Sequence, residues 1–152
     1  HVVITDVSPT RLELSRTLGI EHCINTQKTS LSEVIKTLNM QEGFDIALEM
    51  SGQASALNEA LSVMINGGRI AQLGIFKEQT PPLDLNALVF KGITLKGIYG
   101  REIFETWYKM VTLIESGLNI QGIITHHYPV EEFEDAFSKA MSGEAGKVIL
   151  TW

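Results

Sequence analysis

The stretch His1-Val-Val-Ile-Thr-Asp6-Val7, followed at once by Ser8-Pro9, decides the fold. Its apolar, β-branched run has no polar lead-in, the pattern of a strand buried on both faces in a parallel sheet. Ser8 suits a helix N-cap, and Pro9 suits the first helical position, where an N–H would have no intrahelical partner. A helix to about Leu18, closed by Gly19, follows. Residues 20–25, which include Cys23, then read as a second strand.

Working outward, Ser30 and Glu33 have the spacing of a capping box, and Leu31, Val34, Ile35 and Leu38 recur at helical intervals. Residues 44–50 predict a third strand ending in Ser51-Gly52. A helix with Leu57, Ala60, Leu61, Met64 and Ile65 on one face comes next. Asn66-Gly67-Gly68 reads as a turn and residues 69–74 as a fourth strand. Strands alternating with helices of this length predict an α/β, Rossmann-like, doubly wound parallel sheet with helices on both faces. Residues 76–86, around Pro81-Pro82, read as a surface loop.

Residues 88–100 alternate apolar side chains with Lys91, Thr94 and Lys96, which predicts a half-exposed strand, or a bent strand pair, at a sheet edge. Residues 102–116 predict the longest helix, with Ile103, Trp107, Met110, Val111 and Ile114 facing the core. Residues 123–128 read as an extended piece. Residues 130–141 read as a helix with Phe133, Ala136, Phe137 and Ala140 inward, and residues 146–152 as a last strand.

The 152 residues favour one domain, and 44% apolar with 20% charged residues describes a soluble globular chain. Twelve Lys+Arg against eighteen Asp+Glu give a net charge of -6, so nothing general in the charge attracts nucleic acid or an anionic membrane. A single cysteine excludes an internal disulfide framework and any metal site needing two thiolates of this chain. No apolar run reaches the roughly 18–20 residues of a membrane helix, and with no signal-peptide pattern a cytoplasmic location is expected.

Asp6 stands at the C-terminal end of the first strand, where ligands of open α/β sheets bind. A carboxylate there accepts hydrogen bonds from both hydroxyls of an adenine ribose and repels a 2′-phosphate, favouring NAD over NADP; an ordinary capping aspartate is the alternative. Arg11, in the first turn of the helix, either lies along that ribose or is a surface arginine. Leu73-Gly74-Ile75 and Ile98-Tyr99-Gly100 either face the nicotinamide half or are plain strand ends, and Ser51-Gly52 either lines the adenosine side or starts a helix. Glu49, inside an apolar run, is a candidate buried carboxylate with no partner visible. His126 and His127, neighbours on an extended piece, point to opposite faces and so do not chelate one metal. The glycine-rich loop that precedes such an acid by about 20 residues is not found. Nothing precedes His1 here, so an upstream segment is expected.

Asp6 with Arg11, Gly67-Gly68-Arg69-Ile70, Phe90-Lys-Gly-Ile-Thr-Leu-Lys-Gly-Ile-Tyr-Gly-Arg-Glu102 and Gly146-Lys-Val-Ile-Leu-Thr-Trp152 together resemble the C-terminal part of the zinc-dependent medium-chain alcohol dehydrogenases. The run Gly97-Ile-Tyr-Gly-Arg-Glu-Ile-Phe-Glu-Thr-Trp-Tyr-Lys-Met110 is its most specific part, and the resemblance spans essentially the whole chain. It implies that Asp6 binds the adenosine ribose of NAD, that Arg11 contacts the same end, and that Leu73, Gly74, Ile75, Ile98 and Tyr99 line the cofactor toward the nicotinamide. The activity it implies is oxidation of the threonine 3-hydroxyl to 2-amino-3-oxobutanoate with hydride transfer to NAD, zinc acting as Lewis acid. Homo-oligomers, commonly tetramers, are implied through an edge strand, with Leu88, Val89 and Phe90 at the matching position. The resemblance also implies that the zinc domain, its ligands and the strand with the glycine loop lie upstream of His1. This chain then holds no catalytic or metal residue and is inactive by itself. The strand order 3-2-1-4-5-6 is reduced to a set of two and a set of three.

Overall fold

The computed structural model describes all residues, 1–152. Its strands pair only in parallel, and helices connect them, so the fold is α/β. By its internal contacts the chain divides into two compact units, His1–Thr29 with Glu102–Trp152, and Ser30–Arg101.

The first unit opens with β1 (Val3–Asp6), α1 (Pro9–Thr17) and β2 (His22–Asn25), with β1 and β2 in register from Val3↔His22 to Asp6↔Asn25. The start of α1 is fixed locally: the Ser8 hydroxyl accepts from the Arg11 N–H and Pro9 fills the first turn. Later in the chain come α5 (Glu105–Glu115), β6 (Ile124–Pro129), α6 (Phe133–Met141) and β7 (Lys147–Thr151), with β6 paired to β7. Leu12 of α1, Cys23 of β2, Ala136 of α6 and Ala145 are buried. Gly122 and Gly146 let Leu18, just after α1, and Leu14 of α1 come close to the β6 and β7 segments.

The second unit holds α2 (Leu31–Thr37), β3 (Phe44–Glu49), α3 (Ala54–Val63), β4 (Met64–Gln72), α4 (Leu85–Phe90) and β5 (Thr94–Gly97), its strands in the order β3-β4-β5. The capping box expected at Ser30 and Glu33 forms in both directions. Leu57 and Leu61 of α3, Met64 and Ile70 of β4, and Ile93 before β5 form the buried cluster, with Phe44, Ala47, Phe76, Leu83, Ala87 and Leu88 packed on it. The expected division into a two-stranded and a three-stranded set is what the ladders show, with β6-β7 as a third set.

Three expectations are corrected. Leu88, Val89 and Phe90 are not an edge strand but the end of α4, with the Phe90 side chain 86% exposed. The Asp84 carboxylate caps that helix by accepting from the Ala87 N–H at 3.0 Å, a local bond that overrides the β-branched look of the run. The edge strand that the alternation signalled is the shorter β5. Second, α3 stops at Val63, and Met64 and Ile65 begin β4 instead of extending the helical face. The Lys91 ammonium takes the carbonyls of Leu61, Ser62 and Met64 at 2.8, 2.7 and 3.0 Å, so these carbonyls bond a cation and not the next helical turn. The β3-β4 register shifts between Phe44↔Met64 and Ile46↔Arg69, two residues against five, so Gly67 and Gly68 lie in an irregular stretch inside β4 and not in a turn before it.

Third, several faces expected inside are open. Val2 and Val7 flanking β1 are exposed, as are Phe133, Phe137 and Ala140 of α6, and Trp107 of α5 is 46% exposed. Helical or strand periodicity marks which residues share a face; it does not supply the element that covers the face.

Lys91 carries a first prediction. Lys91→Met keeps the aliphatic stem and removes a cation that closes the C-terminal end of α3, leaving three carbonyls without this donor. The loss is expected at about 1.5–2 kcal/mol, the scale of a hydrogen bond to a charged group, read as a lowered urea midpoint with an unchanged slope.

Candidate functional site

The candidate residues lie at the C-terminal ends of parallel strands. In the first unit Asp6 ends β1, and its Oδ1 accepts the Ser8 N–H at 2.8 Å, an Asx turn that fixes the carboxylate over the start of α1. Its Oδ2 is 3.7 Å from Arg11 Nη1, and the Asp6 side chain remains 25% exposed. One oxygen is therefore held by the backbone and the other faces a guanidinium at the surface. Such an acceptor, partly open and beside a cation, suits a hydroxyl pair. The guanidinium also runs close to the backbone of Gly143, after α6.

In the second unit Leu73, Gly74 and Ile75 follow β4, while Ile98 and Tyr99 follow β5. The β4-β5 ladder and the Ile98 N–H bond to Gln72 O, 2.9 Å, bring these two segments side by side. Leu73, Ile75, Ile98 and Tyr99 all expose their side chains. The result is an accessible apolar rim with backbone groups between the side chains.

Glu49, at the end of β3, is the residue the sequence left without a partner. It is buried to 6% exposure, and its partners are neutral donors. Oε1 accepts from the Ser51 N–H at 2.8 Å, from the Ser51 hydroxyl and from the Gly52 N–H, while Oε2 accepts from Gln72 Nε2 at 2.5 Å. Burial pushes this carboxyl up, but the bonds from Ser51, Gly52 and Gln72 outweigh it and hold the group below its ordinary value. The sign follows by linkage: ionised Glu49 contributes to folding at and above the ordinary carboxylate range, and that contribution is lost as acid brings the pH down through the lowered value. Ser51 and Gly52, two and three residues on, were within reach of a local reading. Gln72, 23 residues away, was not.

Two glycines make this corner possible. A Cβ on Gly74 would lie 2.8 Å from Gly52 Cα and closer still to Gly52 N and Glu49 Oε2, and a Cβ on Gly52, whose φ is +69°, would lie 2.8 Å from the Ile75 carbonyl carbon. The turn after β3 and the end of β4 touch backbone to backbone.

No group of three or more His, Cys, Asp or Glu side chains is placed to hold a metal ion. His126 and His127 alternate in exposure along β6, in keeping with opposite faces. Zinc therefore does not fit the residues present, and no step through it is derived from them.

The family model described as zinc-binding dehydrogenase matches residues 1–116. The chain belongs to the zinc-binding dehydrogenase family. Among curated members it is 53% identical over 152 residues to the L-threonine 3-dehydrogenase of Legionella pneumophila (strain Corby), and 53% identical to that of Chromobacterium violaceum. Each match takes in 100% of this chain and 44% of the relative, so the chain spans less than half the length of these dehydrogenases. Among solved structures, an alcohol dehydrogenase from Thermotoga maritima superposes with a TM-score of 0.86 at 32% identity, over 99% of this chain and 42% of that one. Within the family the strands named here form the Rossmann-like part, and no helix is long and apolar enough to cross a membrane.

Proposed function

We propose that residues 1–152 supply the NAD-binding part of an L-threonine 3-dehydrogenase, which oxidises the threonine 3-hydroxyl to 2-amino-3-oxobutanoate. The observation that carries this is 53% identity over the entire chain to proteins of that name. NAD, when bound, supplies the acceptor for the hydride leaving C3, and the hydroxyl proton passes to solvent. Asp6 would take the adenosine ribose hydroxyls, its Oδ2 accepting and its charge disfavouring a 2′-phosphate. Arg11 would hold that carboxylate in place and lie along the same sugar. Leu73, Gly74, Ile75, Ile98 and Tyr99 would line the nicotinamide half, their apolar rim excluding water from the ring.

In the same reading the chain by itself does not turn over threonine, since its residues offer no zinc site. Self-association would use the edge formed by β5 together with the neighbouring Leu88, Val89 and Phe90, of which Val89 and Phe90 are exposed.

The test is NAD reduction by the full-length protein with threonine, 2,3-butanediol, sorbitol and benzyl alcohol offered separately. Threonine is expected to lead in kcat/KM by at least about tenfold, the discrimination that a few differential contacts provide. A lead for one of the alcohols would move the protein to another branch of the family. Nucleotide binding without turnover of any of them would make it a non-enzymatic binding or assembly module.

A further inference from the structure

Glu49 is buried and ionised, yet none of the cofactor or substrate roles above uses it. Its backbone and side chain bind two different strand ends. The backbone carbonyl accepts the N–H groups of Leu73 and Gly74 at 2.8 and 3.0 Å. The carboxylate accepts from Ser51 and Gly52 on the turn after β3, and from Gln72 on β4. Gln72 completes the circuit, because its Nε2 also donates to the Gly74 carbonyl at 2.8 Å. Both Nε2 bonds go to acceptors, which fixes the amide orientation and leaves the buried Gln72 Oε1 without a partner in the chain. Into this circuit Gly52 and Gly74 fit with no room for a Cβ.

We propose that Glu49 is a positioning residue for the dinucleotide: its carboxylate clasps the turn after β3 to the end of β4 and so fixes where Leu73, Gly74 and Ile75 stand. This rests on the cofactor reading above. Leu73 and Ile75 have exposed side chains, and Gly74 between them is half-exposed. On the inner side they are held by the Glu49 carbonyl and, through Gln72, by the Glu49 carboxylate. A charge buried among neutral donors is costly to fold around unless each lone pair is used, and here four donors converge on two oxygens. An apolar residue of similar size would fill the space without tying the two ends together.

Glu49→Gln separates the two halves of the clasp. Its oxygen still accepts from Ser51 and Gly52, but its new NH2 faces the Gln72 NH2, donor against donor. If Gln72 turns over to accept with its unused Oε1, its nitrogen leaves the Gly74 carbonyl. Either way the side-chain path through Gln72 to the Gly74 carbonyl is broken, and only the backbone bonds from Leu73 and Gly74 to the residue 49 carbonyl remain. Gln72→Leu removes the same tie with Glu49 in place and deletes the unpartnered oxygen, so it serves where Glu49→Gln folds poorly.

The experiment uses the full-length protein with both single variants and the double variant. It reads KM for NAD, kcat with threonine, the NAD dissociation constant by calorimetry, and amide hydrogen exchange at Gly52, Leu73 and Gly74. Each single variant is expected to raise the NAD KM and dissociation constant about tenfold, the size of one charge-assisted hydrogen bond, with kcat within about twofold. The double variant should be no worse than the larger single, since both remove one tie. Exchange should speed up at Leu73 and Gly74, while Gly52 stays protected in Glu49→Gln. An unchanged NAD KM, a fall confined to kcat, or effects that add in the double variant would overturn the positioning role. Should the wild-type protein bind no NAD while exchange at Leu73 and Gly74 still quickens, the cofactor reading fails and the clasp is left as a purely structural tie.

Discussion

Gly74→Ala is expected to destabilise the protein by about 3 kcal/mol, the upper part of the range for overpacking a filled site. The added methyl would fall within 3.0 Å of Gly52 N, Gly52 Cα and Glu49 Oε2. None of these is the end of a flexible side chain. Gly52 is backbone held at φ +69°, and the carboxylate is gripped by Ser51, Gly52 and Gln72. Relief therefore requires β3 and β4 to part at their ends, which breaks the bonds from Leu73 and Gly74 to the Glu49 carbonyl. In a thermal melt the expected fall is about 6–12 °C, at about 2–4 °C per kcal/mol for a chain of this size. Gly97→Ala is the control, because a Cβ there meets nothing within 4 Å and the backbone needs no left-handed conformation. It should be neutral, or stabilising by about 0.4–1 kcal/mol through the unfolded chain. Equal melting temperatures for Gly74→Ala and the wild type would show that the two strand ends do not touch as described.

Asp6→Asn should do the opposite, altering binding and sparing the fold. Asparagine can still accept the Ser8 N–H, so the turn into α1 survives. The pair with Arg11 is long, at 3.7 Å, and its arginine is half exposed, so its loss costs at most about 1 kcal/mol. What goes is the charge and one acceptor for the ribose hydroxyls. The expected result, measured as kcat/KM of the full-length protein with each cofactor, is NAD weakened about 10–100-fold, corresponding to 1.5–3 kcal/mol for a charge-assisted bond. NADP should be unchanged or improved, since the repulsion is removed and Arg11 stays to meet a 2′-phosphate. An unchanged ratio of the two cofactors would remove Asp6 from the ribose.

The legible parts of this molecule were those with short-range causes. Ser8 with Pro9 and Ser30 with Glu33 each cap a helix through bonds spanning three residues, so sequence alone suffices. Asp84, three residues before Ala87, is an equally local cap, but the Leu88-Val-Phe90 run that follows has the look of a strand. The end of α3 was not readable, because the cation that takes its last carbonyls is Lys91, about thirty residues later. The open faces of α5 and α6 show the same limit from the other side. Trp107, Met110, Val111 and Ile114 do share a stripe of α5, Ile103 falls before the helix begins, and burial depends on an element that periodicity does not name.

Sequence by itself determined the alternation of strand and helix, the parallel pairing that this alternation demands, and the carboxylate at the end of β1, since a strand's length and the turn after it fix where its last residue stands. Only the tertiary structure decided that Glu49 is fully bonded without a cation, and that Gly52 and Gly74 meet. The physical reason is range: a cap or a periodic stripe is set by neighbours a few residues apart, whereas the place of Gln72 against Glu49 exists only after β3 and β4 have paired.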